Sequence, residues 1–183
     1  FKIDKILPVI EHGHIDFGEN KVQEALEKWT EIKKKNLKIK LHMIGKLQTN
    51  KVKSAVKLFD YIHSVDSQKL AKKIAEEQLK LDKRVKIFLQ VNIGDESQKS
   101  GIKKNDLDKL VYYCKEIKLD LIGLMCIPPA NIDPEYYFKE MQQLNKNYGF
   151  KELSMGMSSD YIQAAKNLST YLRIGSSIFG QRT

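Results

Sequence analysis

Two glycine-bearing segments near the carboxyl end hold the clearest chemical signal. Gly156-Met157-Ser158-Ser159-Asp160 runs straight into an amphipathic stretch, and Gly175-Ser176-Ser177 follows a short apolar run. A helix start leaves backbone N–H groups without helical partners, and those donors suit an anion. A residue without a side chain lets backbone amides approach phosphate oxygens closely. The hydroxyls of Ser176 and Ser177 add donors. The bland alternative is that Ser158 or Ser159 simply caps the helix, which needs a cap in any case. The chemistry predicted is the binding of an anion, phosphate above all.

Other reactive residue types are less well supported. His12-Gly13-His14 has metal-ligand composition, yet it falls at a helix end, opposite the loops that follow the strands, with no further ligand nearby. Gly156-x-Ser158 begins like a nucleophile elbow, but Asp160 stands where that motif has glycine, and no histidine partner is evident. His42 and His63 lie inside apolar runs and read as satisfied interior or edge histidines. Glu19 and Asp66 have acid–base chemistry without a partner. Cys114 and Cys126 form no CxxC pair and no disulfide framework, so a reducing compartment and core positions are expected.

These residues are positioned by alternating short apolar runs and longer amphipathic stretches. Strands are predicted at Ile15–Phe17, Leu41–Ile44, Tyr61–Val65, Lys86–Ile93, Asp120–Ile127, Glu152–Met155 and Tyr171–Ile174. Helices are predicted from Asp4 to His12, Lys21 to Lys35, Asn50 to Leu58, Ser67 to Leu79, Asn105 to Ile117, Pro134 to Tyr148 and Asp160 to Leu168. Ser67 and Asn105 are N-cap candidates, Gly13 and Gly149 are C-terminal stops, and Pro8 fits only a first helical turn. A βαβα alternation implies a parallel sheet covered by helices, either doubly wound or closed into a barrel. Neither GxGxxG nor GxxxxGK[ST] occurs. Seven strands behind an opening helix favour a (β/α)8 barrel whose first strand precedes Phe1. In such a barrel phosphate sites recur in the last two loops, where the two glycine-bearing segments fall.

Composition narrows the function classes. The 183 residues include 32 Lys+Arg against 23 Asp+Glu, a formal charge of +9. Of the basic residues only Arg84, Arg173 and Arg182 are arginine. Bidentate reading of phosphates and guanine edges favours arginine, so the excess reads as a solvated lysine surface and specific nucleic-acid binding is not expected. No apolar run approaches the roughly 20 residues of a membrane helix. Asn167-Leu168-Ser169 fits a glycosylation sequon, which a chain in the cytoplasm, the expected location, would not use.

Several ordered segments resemble one family. Phe17-Gly-Glu-Asn20, His42-Met-Ile-Gly-Lys-Leu-Gln-Thr-Asn-Lys51, Gly123-Leu-Met-Cys-Ile-Pro128, Leu153-Ser-Met-Gly-Met-Ser-Ser-Asp160 and Arg173-Ile-Gly-Ser-Ser-Ile-Phe-Gly180 are similar to the YggS/PROSC family of pyridoxal 5'-phosphate (PLP) homeostasis proteins, as is Asn92 through Lys99-Ser-Gly-Ile102. The likeness runs from about Ile6 to Arg182. It implies a (β/α)8 TIM barrel of the alanine racemase N-terminal type, as one PLP-binding domain over residues 1–183, with PLP held on a lysine as a Schiff base. Carried across, Ser158 and the backbone of Gly175 and Ser176 would hold the cofactor phosphate, Arg173 would face the pyridine nitrogen, Asn20 would line the pocket near the ring, and Met157 would form a wall. The Schiff-base lysine would fall just ahead of Phe1, on a first strand absent from this chain, because Lys2 and Lys5 come too late.

The resemblance implies a non-catalytic carrier and buffer of PLP, expected to be a monomer that exchanges cofactor with PLP-dependent apo-enzymes. The alternative is an amino-acid racemase, which in barrels of this kind needs a second domain. A phospho-sugar enzyme sharing only the phosphate site would need paired acid and base groups that the strand ends do not supply.

Overall fold

The computed structural model describes residues 1–130 and 132–181; Arg182, the end of the family likeness, lies outside the described residues. In chain order the elements are α1 Ile3–Glu11, β1 Asp16–Glu19, α2 Val22–Lys35, β2 Lys40–Met43, α3 Val52–Leu58, β3 Tyr61–Val65, α4 Gln68–Leu81, β4 Lys86–Val91, α5 Leu107–Glu116, β5 Asp120–Cys126, α6 Glu135–Asn147, β6 Glu152–Met157, α7 Tyr161–Lys166, β7 Tyr171–Arg173 and α8 Ser176–Phe179. Single 3-10 turns, Thr49–Lys51 and Lys104–Asp106, lead into α3 and α5. Each predicted strand and helix is present, Tyr61–Val65 with the expected ends and the others with one or both ends shifted. The four-residue helix α8 was not predicted, because a segment that short has no periodicity to read.

All seven strands are parallel, and their order across the sheet is their order in the chain. A doubly wound sheet reverses its strand order at a switch point. This one never does, so the sheet curls in one sense into a nearly closed barrel. The curl is visible in the contacts of Tyr171 on β7, whose ring lies 5.6 Å from His42 on β2, 5.7 Å from Tyr61 on β3 and 5.3 Å from Phe88 on β4.

Side-chain alternation along the strands separates two cores. Leu41, Ile62, Ile87, Leu89, Leu124 and Leu153 face outward and are buried against Ala25, Trp29, Val56, Ile74, Leu110 and Phe138 of the helices. His42, His63, Phe88, Ser154 and Tyr171 face inward and meet across the barrel.

The helix boundaries have chemical causes. Ser67 Oγ accepts the Leu70 N–H at 3.4 Å as the cap of α4. Gly13, at φ +94°, closes α1 by donating to the Ile10 carbonyl at 2.9 Å, and Gly149 closes α6 by donating to Lys146 at 3.0 Å. Two expectations are corrected. Asn105 lies inside the 3-10 turn before α5 and does not cap it. Pro8 sits inside α1 rather than in its first turn, so the Asp4 carbonyl one turn earlier receives no helical N–H from it.

Candidate cofactor site

The β6–α7 turn is built around a glycine whose backbone angle and surroundings disfavour any side chain. Gly156 has φ +91°, and a Cβ there would lie 2.5 Å from Ala164 Cβ and 3.2 Å from Tyr161 Cα. The turn therefore folds tightly onto the helix it starts. Asp160 fastens it: Oδ1 accepts the Met157 N–H at 2.6 Å, while its own N–H donates to the Met157 carbonyl at 3.0 Å. Asp160, not Ser158 or Ser159, occupies the N-cap position of α7.

Freed from capping, Ser158 reaches across to the next turn. Its Oγ accepts the Gly175 N–H at 3.2 Å and the Ser177 N–H at 3.3 Å. Two backbone donors from the start of α8 thus converge on one oxygen. Ser176 stands between them as the first residue of α8, exposed. Phe1 packs beside this turn, its ring carbon 3.7 Å from where a Gly175 Cβ would stand and its ring centroid 4.9 Å from that of Phe179.

Arg173 ends β7 in register with Met157 on β6. Its Nη1 donates to Ser154 Oγ at 2.8 Å and its Nη2 to the Cys126 carbonyl at 2.8 Å. Burial pulls the guanidinium below its ordinary value, opposed by Cys126 and Asp160; an arginine side chain nonetheless keeps its proton in a protein. The same burial pushes the Cys126 thiol up to about 12, as it does that of Cys114, so both cysteines are unreactive core residues.

Asn20 follows β1 at the same end of the barrel. It lines a cavity of about 360 Å3 with Gly45, Lys46, Gln90, Lys99 and Ile127. The backbones close on each other here: a Cβ on Gly45 would lie 2.2 Å from the Asn20 carbonyl oxygen. Met157, Ser158, Arg173 and Gly175 thus form one cluster with Ser176 at its edge, and Asn20 belongs to the neighbouring cavity.

Of the weaker candidates, Glu19 is explained structurally. It is buried, accepts the Trp29 indole N–H at 2.7 Å and pairs with Lys28 at 2.6 Å. His12 and His14 lie between α1 and β1, at the amino-terminal end of the strands, and no metal-holding group of His, Cys, Asp and Glu occurs among the described residues. Asn167 is buried, its amide nitrogen donating to Glu135 and to the Gln163 carbonyl. No helix among the described residues is long and apolar enough to cross a membrane.

Sequence reasoning missed two participants, Cys126 as a carbonyl acceptor and Ser154 as the partner of Arg173, and it expected Ser177 to donate through its hydroxyl where the structure uses its backbone N–H. The available signal was a polar residue at an inward strand position in phase with Arg173. Ser154 meets that description; the Cys126 carbonyl, as backbone, leaves no trace in sequence.

The architecture defines a β/α barrel of the type that opens the alanine racemases. Residues 2–183 match the family model "Alanine racemase, N-terminal domain". The chain is 34% identical to the pyridoxal phosphate homeostasis protein of Pasteurella multocida, covering 98% of this chain and 82% of that one. It is 37% identical to the protein of the same name from Aquifex aeolicus, covering 91% and 76%. Among solved structures, PipY of Synechococcus elongatus superposes with a TM-score of 0.87 without PLP and 0.85 with PLP bound, at 34% identity, covering 97% and 96% of this chain and 87% and 86% of PipY. An alanine racemase of Clostridium difficile, at 14% identity and TM-score 0.72 over 95% of this chain and 47% of its own, shares the fold. The chain belongs to the alanine racemase N-terminal domain family and, within it, to the pyridoxal phosphate homeostasis proteins.

Proposed function

We propose that this chain binds PLP at the carboxyl end of the barrel and acts in PLP homeostasis as a carrier and buffer without turnover, within one PLP-binding domain over residues 1–183. The observation that carries the reading is the convergence of the Gly175 and Ser177 N–H groups on Ser158 Oγ, with Arg173 at the end of the adjoining strand. The residues present fit the cofactor. Two backbone donors already arranged around one oxygen suit a phosphate oxygen, and Ser158 and Ser176 supply hydroxyls beside them. PLP brings an aldehyde that condenses with amines and a pyridine ring that withdraws electrons.

Each residue has a definite task in this scheme. Gly175, Ser176 and Ser158 hold the phosphate. Met157 and Asn20 wall the ring. Arg173 points a fixed positive charge toward the ring nitrogen and, because it keeps its own proton, supplies none to that nitrogen. A ring nitrogen left without a proton is a weaker electron sink, which favours storage of the cofactor over carbanion chemistry. The recipients proposed are PLP-dependent apo-enzymes, and the chain acts as a monomer.

Equilibrium dialysis with PLP and with pyridoxal tests this. PLP is expected to be retained and pyridoxal to bind far more weakly, with inorganic phosphate competing. Equal retention of the two would overturn the phosphate assignment. Steady exchange of the α-hydrogen of alanine or serine into solvent would overturn the carrier assignment in favour of racemisation.

A further inference from the structure

Behind Arg173 runs a line of polar side chains that the cofactor contacts do not use. Ser154 Oγ, which accepts from Arg173, lies 2.9 Å from His63 Nδ1. His63 Nε2 lies 3.0 Å from His42 Nδ1, and His42 Nε2 lies 3.0 Å from Asp16 Oδ1. Five strands contribute one residue each: β7, β6, β3, β2 and β1. The line begins at the carboxyl end of β7, crosses the barrel interior and ends at the first residue of β1.

With both histidines neutral, the two ends fix the direction of every hydrogen bond in it. An ionised carboxylate only accepts, so His42 donates to Asp16 from Nε2. A neutral His42 then accepts at Nδ1, which makes His63 donate from Nε2. His63 in turn accepts at Nδ1, so Ser154 donates its hydroxyl proton there. That leaves the Ser154 lone pairs for Arg173, whose guanidinium can only donate. For two neutral histidines one arrangement of protons satisfies all four bonds, with both carrying the proton on Nε2.

The surroundings favour the neutral form of both histidines. Burial holds His63 well below its ordinary value, helped by His42 and Arg173. Burial also lowers His42, against the opposing pull of Asp16. The ring of His42 stacks on Tyr61 at 4.2 Å and that of His63 on Phe88 at 4.3 Å, with Tyr171 against both. These rings exclude water and fix the imidazole planes. Asp16, nearly half of whose side chain is exposed, is where the line meets solvent.

We propose that Ser154, His63 and His42 are positioning residues: a one-way hydrogen-bond relay anchored on Asp16 that turns the Ser154 hydroxyl away from Arg173 and so sets the angle at which the guanidinium meets the cofactor's ring nitrogen. The relay rests on the reading that Arg173 faces that nitrogen. Without it, the Ser154 proton is free to turn toward Arg173, and the guanidinium loses one of its two anchors.

Two measurements on the full-length protein test the relay. Nitrogen NMR of the cofactor-free protein is expected to show both histidines as Nε2–H tautomers near neutral pH; either one as the Nδ1–H form or as the imidazolium overturns the proposal. With PLP isotope-labelled at the ring nitrogen, Ser154→Ala is expected to shift that nitrogen's resonance and to weaken PLP retention about fivefold, the worth of one hydrogen bond, while Ser154→Thr restores the native resonance. If Ser154→Ala leaves the resonance unmoved while Arg173→Gln moves it, the relay is wrong and the Arg173 contact stands. If neither substitution moves it, the Arg173 contact is wrong and the relay, as a device acting on the cofactor, falls with it.

Discussion

Ser158 Oγ accepts the Gly175 N–H at 3.2 Å, a bond that ties the turn after β6 to the turn after β7. A serine followed by a helix would ordinarily cap that helix. Here Asp160 takes over the closing of its own turn, so the Ser158 hydroxyl is available to the neighbouring backbone. Replacing Ser158 with Ala removes one hydroxyl but leaves the Gly175 and Ser177 donors. Retention of PLP is expected to fall about three- to tenfold, the range of one hydrogen bond, as read by equilibrium dialysis, with the melting temperature nearly unchanged.

Arg173 is half-buried and held by Ser154 and the Cys126 carbonyl, which makes charge reversal there costlier than its place at a strand end suggests. A carboxylate from Arg173→Glu would face that carbonyl oxygen, so both fold and cofactor binding are expected to suffer. Arg173→Gln keeps donors and removes the charge. It is expected to change the absorbance of bound PLP while denaturant unfolding moves by no more than about 2 kcal/mol. An unchanged spectrum argues against the ring contact.

Gly156→Ala tests the turn. The added methyl must occupy a left-handed backbone position and displace Ala164 Cβ at 2.5 Å. A destabilisation of about 2–4 kcal/mol is expected from strain and overpacking together, measured by urea unfolding, with anion binding weakened in the same variant.

His42 and His63 both have folded-state values below the ordinary 6.5. The unfolded chain therefore takes up protons below about 6.5 while the folded chain does not, so stability is full above that pH and is lost as pH falls. The loss approaches about 1.4 kcal/mol per pH unit for each histidine that remains neutral. Urea midpoints at about pH 7.5 and about pH 5 should differ in that direction, and His63→Phe should flatten the slope.

Glu19→Ala separates structure from site. It leaves the Trp29 indole and the Lys28 ammonium without their buried acceptor. The expected cost is about 2–4 kcal/mol in unfolding free energy, with no change in the spectrum of bound PLP.

Much of the fold was legible because its signals are short-range. Val22, Ala25, Leu26 and Trp29 recur at helical spacing, and all face the core. Ser67, Gly13 and Gly149 end or begin helices through contacts within a few residues. Pro8 and Asn105 depart from local preference: Pro8 lies inside α1, whose Ile6 is buried, and Asn105 lies within a 3-10 turn rather than at a cap. Of the site, the two glycine-bearing turns were legible from residue type and from their place at the ends of the last strands.

Residue order alone set the alternation of strands and helices, the anion-binding composition of the last two turns and the family likeness, since periodicity, turn chemistry and motif spacing are properties of neighbours in the chain. Only tertiary structure decided that Ser158 serves the next turn rather than its own helix, and that His63 meets Ser154 across 91 positions of sequence. The physical reason is curvature: closing a parallel sheet into a barrel brings inward side chains of distant strands within hydrogen-bonding range, and no local pattern records which of them will meet.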